Sequence, residues 1–493
     1  MSAPSPTQAG ALRDALLAAD FTYDAVAELL GTRAHDALGR NETTPGRLAT
    51  TGGSPLETLV RLFLLQVPVS LSDAERALPG LVDRLAVGGL LEQSVSEVAA
   101  RLDCRPYATD DEHLWVVSDL TPGLDGGPQR VGADHVLGIS PASTSLAQLT
   151  IREDVGSALD LGTGCGVQAL HLARHCGTVV ATDVNTRALA IARFNAALNG
   201  LSERIDVRSG SFFEPVRGER FDLIATNPPF VISPATGERL VYRDSGLPGD
   251  RVVEDIVRAA PAHLNPGGWC QILANWVISR DRPWDERLAE WLMPGHDALV
   301  MQREVLDPAA YVELWLKDAG LHGSADYVAR YDTWLSWFDE QGIEAVGFGW
   351  INLRASGTSE HRSLLHWPYD VEQPVAPAVH AWGQAVQLDV SSESRLATRV
   401  DVLQETHGAA GAEDPETIVL RQQRGLRRAR PADTVEAALV GACDGDLTVG
   451  QILDAVAQLL ELDAADTRAT YLPVVRSLVD EGFLVPVLSS AHR

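Results

Sequence analysis

Ala158-Leu159-Asp160-Leu161-Gly162-Thr163-Gly164-Cys165-Gly166 decides the fold of this chain. An apolar run ends in an aspartate and passes into three glycines at alternate positions. Glycines so placed let the backbone turn sharply and approach a ligand without a Cβ clash. Their amides, with the N-terminus of the helix that follows, suit a carboxylate or a phosphate. Further along, a second apolar run ends in Ile224-Ala225-Thr226-Asn227-Pro228-Pro229-Phe230.

Around these two runs, residues 130–355 alternate strand and helix patterns in the manner of a doubly wound parallel sheet. Seven strands are predicted at Ser157–Leu161, Thr178–Asp183, Arg204–Arg208, Phe221–Asn227, Gly268–Ala274, Leu299–Glu304 and Val346–Leu353. Helices are predicted at Val167–Cys176, Thr186–Asn199, Val252–His263, Pro308–Ala319 and Asp326–Glu340. In the last of these Tyr331, Trp334, Leu335 and Phe338 recur at helical spacing, the mark of a face turned to the core. The fold class is α/β, a Rossmann-like seven-stranded sheet. In this topology the ends of the first and fourth strands meet at the crevice where strand order reverses.

Two smaller winged-helix-like α+β domains are expected to flank the sheet. Ser54-Pro55-Leu56-Glu57 reads as a capping box with proline at the first helical position. It opens a helix with Leu56, Leu59, Val60, Phe63 and Leu64 on one stripe. Ser72-Asp73-Ala74-Glu75 reads as a second capping box, and short strands are expected at Leu90–Glu92 and Leu114–Ser118. Near the other end, helices are expected at Val435–Ala442, from Thr448 to Leu460, and at Tyr471–Asp480, the last turning at Gly482 into Phe483-Leu484-Val485. The expected boundaries are 1–125 for the first domain, 126–355 for the sheet, 356–395 for a Pro- and Ser-rich linker and 396–493 for the last domain.

Bulk properties set limits. At 493 residues the chain exceeds one ordinary core. Forty basic against sixty-seven acidic side chains leave a formal charge of −27. That surface favours solubility and repels polyanions at long range, although one local positive patch suffices for nucleic acid. Cys104, Cys165, Cys176, Cys270 and Cys443 are scattered with no C-x-x-C pair. This points to a reducing compartment and away from a disulfide framework or zinc ribbon. Met1–Gly10 lacks the basic and apolar regions of a secretory leader, and the run Leu59–Val69 is broken by Arg61 and Pro68. A cytoplasmic protein is expected.

The glycine loop discriminates between cofactors. A dinucleotide site requires G-x-G-x-x-G, but here the third glycine comes one residue early, at Gly166, with Val167 in the usual place. Asp160 adds an acceptor suited to a cationic amino acid and not to a pyrophosphate. Both points favour S-adenosylmethionine over a nicotinamide. The second strand ends at Asp183, followed by Val184, where a carboxylate can accept from both ribose hydroxyls. At the third strand's end Ser211 and Phe212 are candidate cofactor neighbours, with burial of Phe212-Phe213 in the core as the alternative.

The Asn-Pro-Pro-Phe corner suits transfer to a planar nitrogen. The lone pair of an amide or aromatic amine is delocalised, so a site must hold its N–H groups with acceptors. The Asn227 side-chain oxygen and the Pro228 carbonyl supply two, and consecutive prolines fix the backbone so that they converge. Phe230 offers a face on which a flat amide or base can stack.

On these residues the chain resembles the class I S-adenosylmethionine-dependent methyltransferases of the Asn-Pro-Pro-aromatic group. That group includes release-factor glutamine N-methyltransferases, ribosomal-RNA guanine methyltransferases and adenine-amino methyltransferases. The resemblance covers about residues 130–355 and is specific from Asp160 to Phe230. It implies methyl transfer from S-adenosylmethionine, leaving S-adenosylhomocysteine. It assigns Asp160, Gly162, Thr163, Gly164, Gly166, Asp183, Val184, Ser211, Phe212 and Asn227 to the cofactor, and Asn227, Pro228 and Phe230 to the target nitrogen. Related enzymes commonly carry an acidic residue where Ser211 stands. Val136–Ser145 lies where the glutamine enzymes have a Pro/Thr-rich segment over the cofactor, and Arg243–Asp250 resembles their glycine-aspartate loop. Phe230 replaces their tyrosine, and that departure leaves the substrate open.

Arg421, Arg424, Arg427, Arg428 and Arg430 cut against the acidic background. They read either as a strand neutralising neighbouring carboxylates or as a contact for RNA or DNA phosphates. The expected acceptor is a macromolecule, either a nucleobase amino group or a protein glutamine. A small-molecule amine and a non-catalytic S-adenosylmethionine-binding regulator are the alternatives.

Overall fold

The structure is a computed structural model that describes residues 6–108, 113–127, 132, 134–234, 247–357, 360–410 and 415–487. They fall in two compact units, one within Met1–Ala147, Arg152–Gly357 and Arg362–Trp367, the other within Gln148–Ile151, Thr358–His361 and Pro368–Arg493.

The first unit is built on a sheet of eight strands, β1 Val155–Leu161, β2 Cys176–Asp183, β3 Ile205–Ser209, β4 Phe221–Thr226, β5 Leu264–Ser279, β6 Asp297–Leu306, β7 Ile343–Arg354 and β8 Arg362–His366. Their order is β3-β2-β1-β4-β5-β7-β6-β8. Strands β1 to β5 pair in parallel, and β7 runs antiparallel to both neighbours. The seven strands read from the sequence are present. The eighth, β8, pairs in parallel with the edge of β6 and lies in the stretch expected as linker. The expected linker also holds a helix, Ala376–Ala385, in the second unit. Proline and serine content misled there, because Arg362-Ser-Leu-Leu-His needs only one edge to pair with.

The helices are α1 Pro141–Leu149, α2 Val167–Leu172, α3 Thr186–Leu198, α4 Arg251–Ala259, α5 Trp284–Ala289, α6 Pro308–Asp318 and α7 Tyr327–Glu340. Asn185 caps α3 by accepting from the amides of Arg187 and Ala188. Asp307 caps α6, with Pro308 at the first helical position, where no amide is needed. Helix α4 buries Val253, Ile256 and Val257 against Leu159, Ile224 and Ile272 of the sheet.

The N-terminal residues share this unit. A helix at Pro55–Leu59, with the expected capping box, continues as a wider turn through Leu64. The next helix, Leu71–Ala77, is capped by Ser70 accepting from Asp73 N, and not by Ser72 as its sequence suggests. A helix at Val82–Val87 leads into strands Leu91–Gln93 and Glu97–Ala100, and then a hairpin of Leu102–Ala108 with His113–Asp119. This layer is fused to the sheet through α3. Phe194 and Leu198 enter the same core as Leu12, Leu16, Phe63 and Trp115. Burying each such side chain stabilises by about 1.5–3 kcal/mol. Two amide side chains complete the joint. Asn199 exchanges hydrogen bonds with both backbone groups of Trp115. Asn195, fully buried, does the same with Val117 and also donates to the Cys165 carbonyl.

The second unit contains an antiparallel sheet of Val402–His407, Thr417–Gln422 and Ala429–Ala432, followed by helices Thr434–Ala442, Val449–Leu459 and Ala464–Asp480. Leu484–Pro486 closes onto Leu396–Thr398. The last helix starts earlier than expected because Asp463 caps it. The arginine-rich stretch is largely neutralised. Arg421 is bidentate to Glu405 at 2.7 and 3.1 Å, Arg430 bonds Glu436 and Glu481, and Arg424 lies 3.3 Å from Glu372. Arg428 is buried, while Arg427 is exposed. Guanidiniums already held by carboxylates offer little net charge to a phosphate, so the observed packing fits the carboxylate-neutralising reading. All five cysteines are buried and free. No helix among the described residues is long and apolar enough to cross a membrane.

Replacing Asn195 with alanine would orphan two backbone groups of Val117 and one of Cys165. A loss of about 1–3 kcal/mol, read from the denaturant midpoint, is expected. An unshifted midpoint would show that this joint is not a structural one.

Candidate active site

Strand β1 ends at Leu161 and the glycine loop leaves the sheet there. The Gly162 and Thr163 amides both donate to the Thr182 carbonyl at 2.9 Å, tying the loop to the end of β2. Gly162, Gly164 and Gly166 hold φ of +78°, +55° and +87°, the left-handed region that other residues enter at a cost. A Cβ on Gly166 would also lie 3.2 Å from that of Ala192 on α3. Gly166 packs closely against α3 and is not among the residues lining the cavity beside the loop.

The loop opens on a cavity of about 390 Å³. Asp160, Gly162, Thr163, Gly164, Asp183, Val184, Ser211, Phe212, Asn227, Pro228 and Phe230 all line it. The structure therefore gathers every other residue assigned from the sequence. Val136, Gly138, Ser140 and Ser143 line it as well, which places the Val136–Ser145 segment beside the glycine loop. Residues 243–246 of the second weak match lie outside the described residues. Within its remainder, Asp250 accepts from Arg287 and from the Val277 amide, all at 2.7 Å.

Two carboxylates differ in setting. Asp160 is only 2 % exposed. Its Oδ2 accepts from the Thr163 hydroxyl at 2.5 Å and from the Ala169 amide at 2.9 Å. Burial dominates these bonds and raises its pKa to about 7. Asp183 stands at the end of β2, with Oδ2 accepting from Gly164 N at 2.9 Å and Oδ1 from Asn185 N at 2.8 Å. Each of its oxygens keeps a further lone pair for a donor in the cavity. Next to it Val184 is 62 % exposed, an apolar side chain left uncovered at a strand end.

At the other side of the cavity, β4 ends at Thr226, whose hydroxyl donates to the Leu161 carbonyl at 2.7 Å. Asn227 follows. Its side-chain oxygen is shielded from solvent and has no hydrogen-bond partner among the described residues. A buried acceptor left unpaired costs free energy and marks a place where a donor belongs. Phe212 has φ of +44° and both lines the cavity and packs on the core, whereas Phe213 is buried and stacks on His263. Phe230 lines the cavity and meets Trp315 edge-on, the ring centroids 6.2 Å apart.

Sequence reasoning missed His135, Asp119 and Arg187. His135 lines the cavity, and burial lowers its pKa despite the nearby Asp119. Asp119 pairs with Arg187 of α3 and accepts from Val136 N at 2.8 Å, while its own amide donates to the Val136 carbonyl. That clasp holds the 135–138 segment at the cavity. No local pattern announces it, because its three parts are distant in sequence.

The raised pKa of Asp160 has a stability consequence. The folded protein holds this proton more tightly than the unfolded chain. The stabilisation is therefore complete below the ordinary carboxylate range and is lost as pH rises towards 7. Asp160→Asn keeps an acceptor but cannot ionise. Between pH 5 and 8 the wild type should lose on the order of a few kcal/mol relative to this variant, measured by thermal melting. Parallel melting curves across that range would refute the assignment.

Residues 138–290 match the family described as methyltransferase small domain, and residues 18–101 match a domain of unknown function, DUF7059. A release factor glutamine methyltransferase of Xylella fastidiosa is 40 % identical over 129 residues, covering 24 % of this chain and 46 % of that protein. A ribosomal protein uL3 glutamine methyltransferase of Bradyrhizobium diazoefficiens is 39 % identical over 124 residues, 23 % of this chain and 39 % of that one. A ribosomal RNA small subunit methyltransferase C of Alcanivorax borkumensis is 32 % identical over 137 residues, 28 % and 35 % of the two chains. The chain thus spans about half the length, or less, of these relatives. Residues 138–290, which hold the glycine loop and the Asn-Pro-Pro-Phe corner, are similar to the methyltransferase small domain.

Proposed function

We propose that this protein transfers the methyl group of S-adenosylmethionine to a planar amino or amide nitrogen of a macromolecule. The observation that carries this reading is the shielded, unpaired oxygen of Asn227 in the wall of the cavity that also holds Asp160 and Asp183. S-adenosylmethionine supplies, when bound, a methyl group on a positively charged sulfur. The residues present fit it. The Asp160 side lends a buried acid that a neighbouring ammonium would ionise. Asp183 retains acceptor capacity for a ribose diol, while Val184 and Phe212 offer apolar surface to a flat base. Ser211, in place of the family's acidic residue, can bond a base amino group through its hydroxyl.

For the acceptor, Asn227 Oδ1 and the Pro228 carbonyl would each take one N–H. Holding both turns the nitrogen lone pair out of conjugation and towards the methyl donor. Pro228 and Pro229 lock the backbone torsions, so the oxygens need little reorganisation at the moment of transfer. Phe230 gives the planar group a surface to lie on. Positioning carries most of the barrier reduction, and no strong base is required.

The macromolecular acceptor is supported by relatives named for glutamines of a release factor and of a ribosomal protein, and for ribosomal RNA. The N-terminal helices with their small antiparallel sheet, and the helices that close the second unit, follow a winged-helix order and would present such a substrate. Incubation with tritiated S-adenosylmethionine and whole-cell extract, then separate nuclease and protease digestion, tests the class. Label that survives in neither polymer, with the cofactor bound, would discard a macromolecular acceptor.

Two substitutions separate the roles. Asn227→Ala should leave cofactor affinity within about twofold and lower turnover by about 10²–10³. Undiminished turnover would remove Asn227 from the reaction. Asp183→Ala should weaken cofactor binding by about 10- to 100-fold in calorimetry. An unchanged dissociation constant would rule out the diol contact.

A further inference from the structure

Strands β6 and β7 are antiparallel neighbours paired up to Leu306 and Val346. Such neighbours can be joined by a tight turn of a few residues. Here the connection instead carries α6 and α7, residues 308–318 and 327–340. Connections far longer than the geometry requires are commonly functional. The segment matched by the methyltransferase family ends at residue 290, so this helical pair lies outside the shared part.

Its inner face meets the chain that leaves the Asn-Pro-Pro-Phe corner. Val231 and Ile232 share a core with Tyr311, Val312, Trp315 and Phe338. Tyr311 is fully buried, and its hydroxyl accepts from the Ile232 amide at 2.9 Å and from Asn275 Nδ2 at 3.4 Å. Phe338 and Phe348 hold the Tyr311 ring, with centroids 5.9 and 5.8 Å away. Trp315 meets Phe230 at 66°. One helix therefore touches both the ring proposed to support the acceptor and the backbone two residues beyond it.

We infer that α6 and α7 brace the acceptor side of the active site from behind, with Tyr311 and Trp315 as positioning residues for the Asn227–Phe230 corner. This rests on the proposed methyl transfer and deepens it. Tyr311 fixes where the backbone goes after Phe230, and Trp315 sets the tilt of the Phe230 ring. Together they determine how a planar acceptor lies relative to Asn227 Oδ1. Neither residue lines the cavity, so both act through Phe230 and the 231–232 backbone and not by touching a ligand.

The test uses the full chain, tritiated S-adenosylmethionine and cell extract, with Asn227→Ala as the inactive reference. Tyr311→Phe and Trp315→Leu should lower the initial rate at saturating cofactor by about 10- to 100-fold, since small misplacements of a reacting group cost that much. The KM and dissociation constant for S-adenosylmethionine should stay unchanged, and Trp315→Phe should restore most of the rate lost in Trp315→Leu. In parallel, Tyr311→Phe should speed hydrogen exchange at the Ile232 amide. A rate equal to wild type, or cofactor affinity that falls in step with it, would overturn the inference. Should the wild type bind cofactor but methylate nothing, the proposed function fails. Exchange at Ile232 then still decides on Tyr311, and an unchanged rate there refutes its positioning role.

Discussion

Strands β1 and β4 run side by side in parallel, with Asp160 opposite Ala225 and Leu161 opposite Thr226. Both strands give way to loops at that level, one to Gly162 and the other to Asn227. Parallel pairing places the carboxyl ends of neighbouring strands together, and the reversal of strand order there opens a crevice between the following loops. The Thr226 hydroxyl, buried and bonded to the Leu161 carbonyl, locks this register at its last rung. A slip of one residue would turn every side chain of β4 to the opposite face and separate the two loops.

That register sets two polar groups in a place where they are poorly satisfied. Asp160 is buried enough to favour its neutral form, and the Asn227 oxygen lacks a donor. A sequence selected for stability alone would replace both. Their retention in one cavity is intelligible if a cation and an N–H complete them, which is the arrangement that transfer of a methyl group from a sulfonium to nitrogen requires. Asp183 differs because backbone amides already engage both of its oxygens, so it holds the loop's shape whether or not a ligand is present.

The N-terminal hairpin feeds hydrogen bonds into α3 through Asn195 and Asn199, and Asn195 reaches on to the glycine loop. The Asp119–Arg187 clasp draws the 135–138 segment to the cavity. On the far side α6 and α7 brace the corner. The glycine-loop side and the Asn-Pro-Pro-Phe side of the cavity are thus each supported by an element outside the sheet, and by different ones.

Sequence by itself determined the α/β order, the seven strands of the sheet and both loops, because each is written in a short contiguous pattern with its own backbone requirement. Apolar runs need a buried strand, alternate glycines need positive φ, and paired prolines need a rigid bend. Tertiary structure alone decided the rest. It added the eighth strand, turned an expected linker into ordered elements, packed Gly166 against α3 and paired Arg421 and Arg430 with carboxylates. It also set Asn195, Asp119, Tyr311 and Trp315 behind the segments that border the cavity. In each case the partner is remote in the chain, and a side chain's role there depends on which distant surface it meets, which no local pattern encodes.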